Sequence, residues 1–282
     1  MKRISTFVVM GICALLLAVP ALAQSDQPLR AAVDMGYVPF AFVNEAGEEV
    51  GYAVDLADAL AERMGRPSAE IVSVAWSGIF AALDAGRVDF IVAPTNIRPS
   101  RAENMAFTEP YMDTAQLIAL NTKHEATVKT FEDLAGLTIG VNAGSVSDDW
   151  LVENQDAYGY KIDRYDNLLD ALLACDTGRI DGVISDYEAT AYAAKDRPNV
   201  VPGLTITGAE QYGLPCEKTN LEFRNELERA LEGIKLDGTL QAIHEKWFGV
   251  APDDYSATNL VYIGYGVPGM SFFELTYHAP TL

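Results

Sequence analysis

The sequence predicts an α/β protein built as two lobes, and three observations carry that reading. From Leu29 onward, short apolar runs rich in β-branched residues alternate with segments whose apolar residues recur at helical spacing. That order suits a mostly parallel sheet flanked by helices. A second observation is an internal echo: Leu83-Asp84-Ala85-Gly86-Arg87-Val88-Asp89 returns about ninety residues later as Cys175-Asp176-Thr177-Gly178-Arg179-Ile180-Asp181. The third is that each copy leads into a strand and then into polar residues: Thr95 to Arg101 in one, Asp186 in the other. Ligands of open α/β sheets bind beyond the carboxyl ends of the strands. One copy offers an arginine and the other a carboxylate, a pair complementary to a zwitterion.

In chain order, Leu29 to Val33 reads as the first strand, with Asp34 to Phe40 as the loop at its carboxyl end. Ala41 to Val43 and Gly51 to Val54 flank a turn carrying Asn44 and Gly47, a hairpin-like excursion. Asp55 is expected to cap a helix with Leu56, Leu60 and Met64 on one face and Gly65 at its end. Glu70 to Val74 is a further strand. The next helix carries Ile79, Phe80 and Leu83 and stops at Gly86, where a positive φ is required. Val88 to Val92 then reads as a strand buried on both faces.

Ala115 to Leu120 is expected to carry the chain from one lobe to the other. Thr130 to Asp133 resembles a capped turn before a strand at Leu137 to Val141. Asn142 to Ser147 follows at its carboxyl end and opens a helix near Asp148, where backbone N–H groups favour an anionic group. Asn167 to Thr177 is the second copy of the helix before the Gly stop, and Tyr187 to Ala194 a short helix after Asp186. Tyr212 to Pro215 is read as the return crossing, followed by amphipathic helices at Asn220 to Lys235 and Thr239 to Trp247. Val250 to Leu282 is aromatic-rich without a clear period, and is expected to pack on a lobe. Left uncovered it would be an exposed apolar patch.

Residues 1–23 read as an export signal: basic Lys2 and Arg3, an apolar Ile4 to Val19, and Ala21-Leu22-Ala23 as the cleavage site. The protein is therefore expected in the periplasm, cut after Ala23. A net charge of −20, more negative still once Lys2 and Arg3 are removed, opposes binding to nucleic acid or anionic membranes. Cys175 and Cys216 survive processing. An oxidising compartment allows a disulfide between them, and two buried thiols fit equally well. His124, His244 and His278 are scattered without metal-ligand spacing, so no metal or other cofactor is expected.

Six elements stand in one order: Tyr37-x-Pro39-Phe40, Gly51 to Leu56, Gly86 to Asp89, Arg101 before Phe107 to Tyr111, Asp133-Leu134-x-Gly136, and Lys246 to Gly249. Together they resemble the family 3 extracellular solute-binding proteins, the periplasmic receptors of polar amino-acid ABC transporters. The resemblance spans roughly Leu29 to Gly249. It implies a two-lobed periplasmic-binding-protein type II fold with two hinge crossings. The first lobe would take residues 27–114 and 213–250, the second 115–212, with 251–282 as a C-terminal extension.

On the matching positions the resemblance implies that Arg101 grips the ligand α-carboxylate, assisted by Asn96, and that Asp186 holds the α-ammonium. A guanidinium suits the carboxylate because its planar fork makes two parallel charge-assisted bonds. Tyr37 and Trp76 are expected to sandwich the ligand side chain, Asp34 to meet a basic one, and the loop with Ser145 and Val146 to complete the carboxylate contact. Two departures stand out within the site. Arg98 replaces a small threonine, which would make the site edge more basic, and Pro94 removes a polar contact.

The implied function is capture of a small zwitterion, a polar amino acid, by a monomer that delivers it to a permease. The rival from another class is an enzyme on the same scaffold, of the cyclohexadienyl dehydratase type, which would need a proton-transfer group beside its substrate. A ligand-sensing, partner-binding protein is a further alternative.

Overall fold

The computed structural model describes residues 26–281; the expected leader at 1–23 lies outside them. The chain begins with β1 (Leu29–Val33), a short hairpin of β2 (Phe42–Val43) and β3 (Glu49–Val50), and α1 (Tyr52–Arg63). It continues through β4 (Ala69–Ser73), α2 (Trp76–Asp84), β5 (Phe90–Ile91), α3 (Pro99–Ala102) and β6 (Met105–Phe107). The long β7 (Met112–Asn121) leads to β8 (Thr138–Asn142), α4 (Val146–Tyr158), β9 (Lys161–Tyr165), α5 (Leu168–Asp176), β10 (Gly182–Asp186) and α6 (Tyr187–Ala194). The 13-residue β11 (Val200–Tyr212) returns to β12 (Pro215–Glu217), and α7 (Leu221–Leu236) and α8 (Thr239–Phe248) follow.

Ten of these twelve strands form two five-stranded sheets, one per lobe, in the orders β4-β1-β5-β12-β6 and β11-β7-β10-β8-β9, and β2 pairs only with β3. In the first, β1 runs parallel to β4 and β5; in the second, β8 runs parallel to β9 and β10. The internal echo has a structural meaning here. Asp89 accepts the Arg30 backbone N–H at 2.8 Å, and Asp181 accepts that of Thr138 at 2.9 Å. In each copy the carboxylate after the Gly stop sets the neighbouring parallel strand in register.

The lobes are joined where β7 and β11 lie antiparallel, with Asp113 opposite Gln211 and Met112 opposite Tyr212. Aromatic rings pack around this crossing: Phe40 meets Tyr212 edge-on at 6.0 Å, and Tyr52 stacks on Tyr111 at 6.1 Å. All four side chains are fully buried.

Several local expectations are corrected. Gly51, not Asp55, is the cap of α1, and Gly51 to Val54 is not a strand. Gly51 has φ +144, and a Cβ there would meet the Phe40 carbonyl oxygen. Only glycine lets the chain pass so close to Phe40. Asp55 instead accepts from Lys246 Nζ and Trp247 Nε1, both at 2.6 Å, and ties α1 to α8. Cys175 and Cys216 form no disulfide. Cys175 sits on α5 against the second sheet and Cys216 within the first, and burial pushes both thiols up to about 12.

Residues 251–281 form no helix or extended strand, and they wrap the outer face of α7 through buried charges. Lys235, at 0% side-chain exposure, donates to Glu109 Oε1 at 2.7 Å and to the Leu260 carbonyl at 2.8 Å. Arg224, equally buried, donates to the Phe272 carbonyl at 3.1 Å, and Glu228 accepts the Gly266 N–H at 2.8 Å. The aromatic tail thus packs on the first lobe, largely through polar bonds to its backbone. Tyr265 is buried against His278, while Tyr255 and Tyr277 face solvent.

Candidate ligand-binding cleft

Five strand ends converge between the lobes. The loop after β1 supplies Asp34 and Tyr37, the segment after β4 supplies Trp76, and the segment after β5 supplies Ala93, Pro94 and Asn96. From the second lobe come Asn142, Ser145, Val146 and Ser147 after β8, with Ser185 and Asp186 at the end of β10. They line a cleft whose empty space, mouth included, is about 420 Å³. Seven of the eight residues expected from sequence line it: Asp34, Tyr37, Trp76, Asn96, Ser145, Val146 and Asp186.

Arg101 stands one layer back. It projects from α3, donates from Nη1 to the Asn96 carbonyl at 3.1 Å, and lies 5.4 Å from the Trp76 ring centroid and 5.3 Å from that of Phe80. Burial between these rings lowers its pKa, and the Asp186 carboxylate works in the opposite direction.

Asp186 occupies the cap position of α6 but does not cap it. Its Oδ2 accepts the Tyr37 hydroxyl at 2.7 Å and its Oδ1 accepts Gln116 Nε2 at 2.6 Å. Gln116 reaches it because the antiparallel β7–β10 register sets the two residues opposite each other. The carboxyl is buried, and desolvation raises its pKa against the pull of Tyr37, Gln116, Tyr212 and Arg101. Its hydrogen-bonding partners are neutral. Burial likewise raises Asp34 to about 6, opposed by the Trp76 backbone N–H and not by any cation.

Side chains at the mouth and floor of the cleft bond across it from one lobe to the other. Tyr37 reaches Ser185 and Asp186, and Trp76 Nε1 donates to the Gly144 carbonyl at 3.2 Å. The helix start at α4 is partly satisfied from within: Ser145 Oγ accepts the Asp148 N–H, and Asp148 accepts that of Gly144 while paired with Arg164. The expectation of a more basic site edge is also corrected, because Arg98 is paired with Glu210 at 2.5 Å.

Sequence reasoning missed Gln116, Ser185 and Glu210. Gln116 and Glu210 lie on the crossing strands, whose partners are fixed by register and not by local pattern. Ser185 adjoins Asp186 in the polar end of a strand, and that was the one available signal.

Comparison with known proteins decides the family. A profile described as "Bacterial extracellular solute-binding proteins, family 3" matches residues 29–250, most of the chain. The chain belongs to this family. Among its curated members, the chain is 30% identical to the L-cystine-binding protein TcyJ of Escherichia coli (strain K12), over 76% of this chain and 79% of that protein. It is 28% identical to the putative ABC transporter arginine-binding protein 2 of the same strain, over 84% and 97%. Among solved structures, an ancestral arginine-binding protein bound to arginine superposes with a TM-score of 0.75 at 32% identity, over 79% of this chain and 98% of that one. The family match stops at residue 250, so the extension on α7 lies beyond it.

Proposed function

We propose that this family 3 protein is the periplasmic capture component of an ABC transporter and that its ligand is a basic amino acid. The observation that carries the reading is a charge imbalance. The cleft is lined by two carboxylates, half-buried Asp34 and buried Asp186, with one guanidinium, Arg101, a layer behind them. An amino acid with a cationic side chain brings two positive groups and one negative, and it completes the set. The α-carboxylate would meet Arg101, the α-ammonium Asp186, and the side-chain cation Asp34 between Tyr37 and Trp76, whose rings favour a cation.

Binding is by closure of lobe 27–114 with 213–250 against lobe 115–212. A ligand that bridges Arg101 and Asp186 stabilises the closed form by its differential affinity for it. Closure is read by a membrane permease. The protein acts as a monomer after loss of its leader, and it performs no chemistry. The matched relatives named for arginine and cystine support capture of an amino acid over catalysis.

Calorimetric titration of the purified protein with L-arginine, L-lysine, L-glutamine and L-glutamate tests the reading. Tightest binding by arginine or lysine, abolished in Arg101→Ala, is the expected result. Preference for glutamate would overturn the basic ligand. Turnover of prephenate or arogenate would overturn the receptor.

A further inference from the structure

The amide of Asn96 lines the cleft with only 4% of the residue exposed, so which of its two ends faces the ligand decides what it recognises. Its orientation is set from outside the cleft. Asn96 Nδ2 donates to Glu210 Oε2 at 3.2 Å, while the other oxygen of Glu210 takes the Arg98 guanidinium at 2.5 Å. A carboxylate accepts and cannot donate, so the amide end turned toward Glu210 must be the nitrogen. Backbone pairing holds the whole arrangement: Asn96 bridges Tyr212, and the Ile97 N–H donates to the Gln211 carbonyl at 2.9 Å. Glu210 therefore rides on the crossing strand β11 beside the very segment that carries Asn96.

We infer that Glu210, clamped by Arg98, is a specificity-setting positioning residue that turns the Asn96 carbonyl oxygen toward the ligand. An oxygen there accepts hydrogen bonds from ammonium or guanidinium groups and opposes a carboxylate. This departs from the role the sequence assigned to Asn96, as a helper of Arg101 on the ligand carboxylate. Arg98 acquires a role as well, since it neutralises Glu210 and lets the edge of the cleft gain orientation without gaining charge. The inference rests on the receptor reading above and deepens it, because it concerns how the same cleft selects cationic ligands.

The test compares Kd values for L-arginine and L-glutamine in wild-type protein and in Glu210→Gln. A glutamine side chain at this position can donate as well as accept, so the Asn96 amide loses its fixed sense. The arginine-to-glutamine preference is expected to fall by about fivefold, the effect of one hydrogen bond. The thermal midpoint should remain near that of wild type. The double variant Asn96→Asp/Glu210→Gln places an acceptor in the cleft whichever way it is held, and it is expected to restore the preference. If Glu210→Gln does not fold, Arg98→Gln releases the clamp and should lower the preference in the same direction. An unchanged ratio in a folded Glu210→Gln or Arg98→Gln protein overturns the orientation alone. Wild-type protein that binds neither amino acid overturns the basic-ligand reading and this inference with it.

Discussion

The Tyr37 hydroxyl donates to Asp186 Oδ2 at 2.7 Å, so the first lobe reaches into the second and occupies one oxygen of the cleft's most buried carboxylate. This bond crosses the cleft and, on the closure reading, favours the closed form. Tyr37→Phe removes it while keeping the ring. Ligand-free Tyr37→Phe protein should therefore be more open, with a larger radius of gyration in small-angle scattering than wild type. An unchanged radius would mean that the contact does not bias closure.

Asp186 is buried and accepts hydrogen bonds only from neutral donors. Asp186→Asn keeps the shape and removes the charge. Loss of a charge-assisted bond to the ligand ammonium should weaken L-arginine binding by about 10- to 100-fold in calorimetry. A similar loss is expected for L-glutamine, because both ligands carry the same α-ammonium.

Acid should act on the ligand and on stability in opposite senses through Asp34. Burial raises this carboxyl from 3.8 to about 6, so the folded, ligand-free protein takes up its proton earlier than the unfolded chain does. The contribution of Asp34 to stability therefore falls as pH rises through that window and is largest below it. A cationic ligand favours the ionised form. L-arginine affinity should be level above pH of about 7 and weaken as pH falls through about 6. Asp34→Asn protein, titrated at the same pH values, should lose this dependence on Asp34 and bind arginine more weakly at neutral pH.

The ion pair of Lys235 and Glu109 sits at 0% exposure on both sides, beneath the C-terminal extension. Lys235→Met leaves a buried carboxylate without its counter-charge, and also strips a donor from the Pro110 and Leu260 carbonyls. Chemical denaturation should show a loss of roughly 3–5 kcal/mol. The double variant Lys235→Met/Glu109→Leu should recover part of that loss. If it recovers none, the pair's role lies in ordering the extension and not in charge compensation.

Much of this protein was legible in the amino-acid order because the signals are local. The Gly86 and Gly178 stops, the Asn167 and Asn220 caps, and the apolar face of α7 depend on neighbours within a turn or two. The repeated Gly-Arg-x-Asp segment disclosed two related units before any contact was known. The polar segments at Thr95 to Arg101, Asn142 to Ser147 and Asp186 were found in the same way, since polar groups just past a buried strand mark where a sheet meets its ligand, while the roles of Asp34, Tyr37 and Trp76 came from the family resemblance.

Tertiary structure alone decided whatever depends on partners distant in the chain. The strands β9 and β11 lack a strong local pattern, and β11 is interrupted by Pro202 and Gly203, so pairing rather than propensity makes them strands. Asp55 reads as a cap until Lys246 and Trp247 arrive from α8. Arg98 reads as an extra charge until Glu210 arrives 112 residues later. The two cysteines read equally well as a pair or as two thiols until the fold places Cys175 on α5 and Cys216 in the first sheet. The reason is common to all four: backbone conformation follows from near neighbours, whereas the partner of a charge, a thiol or an edge strand is set by how the lobes fold over one another.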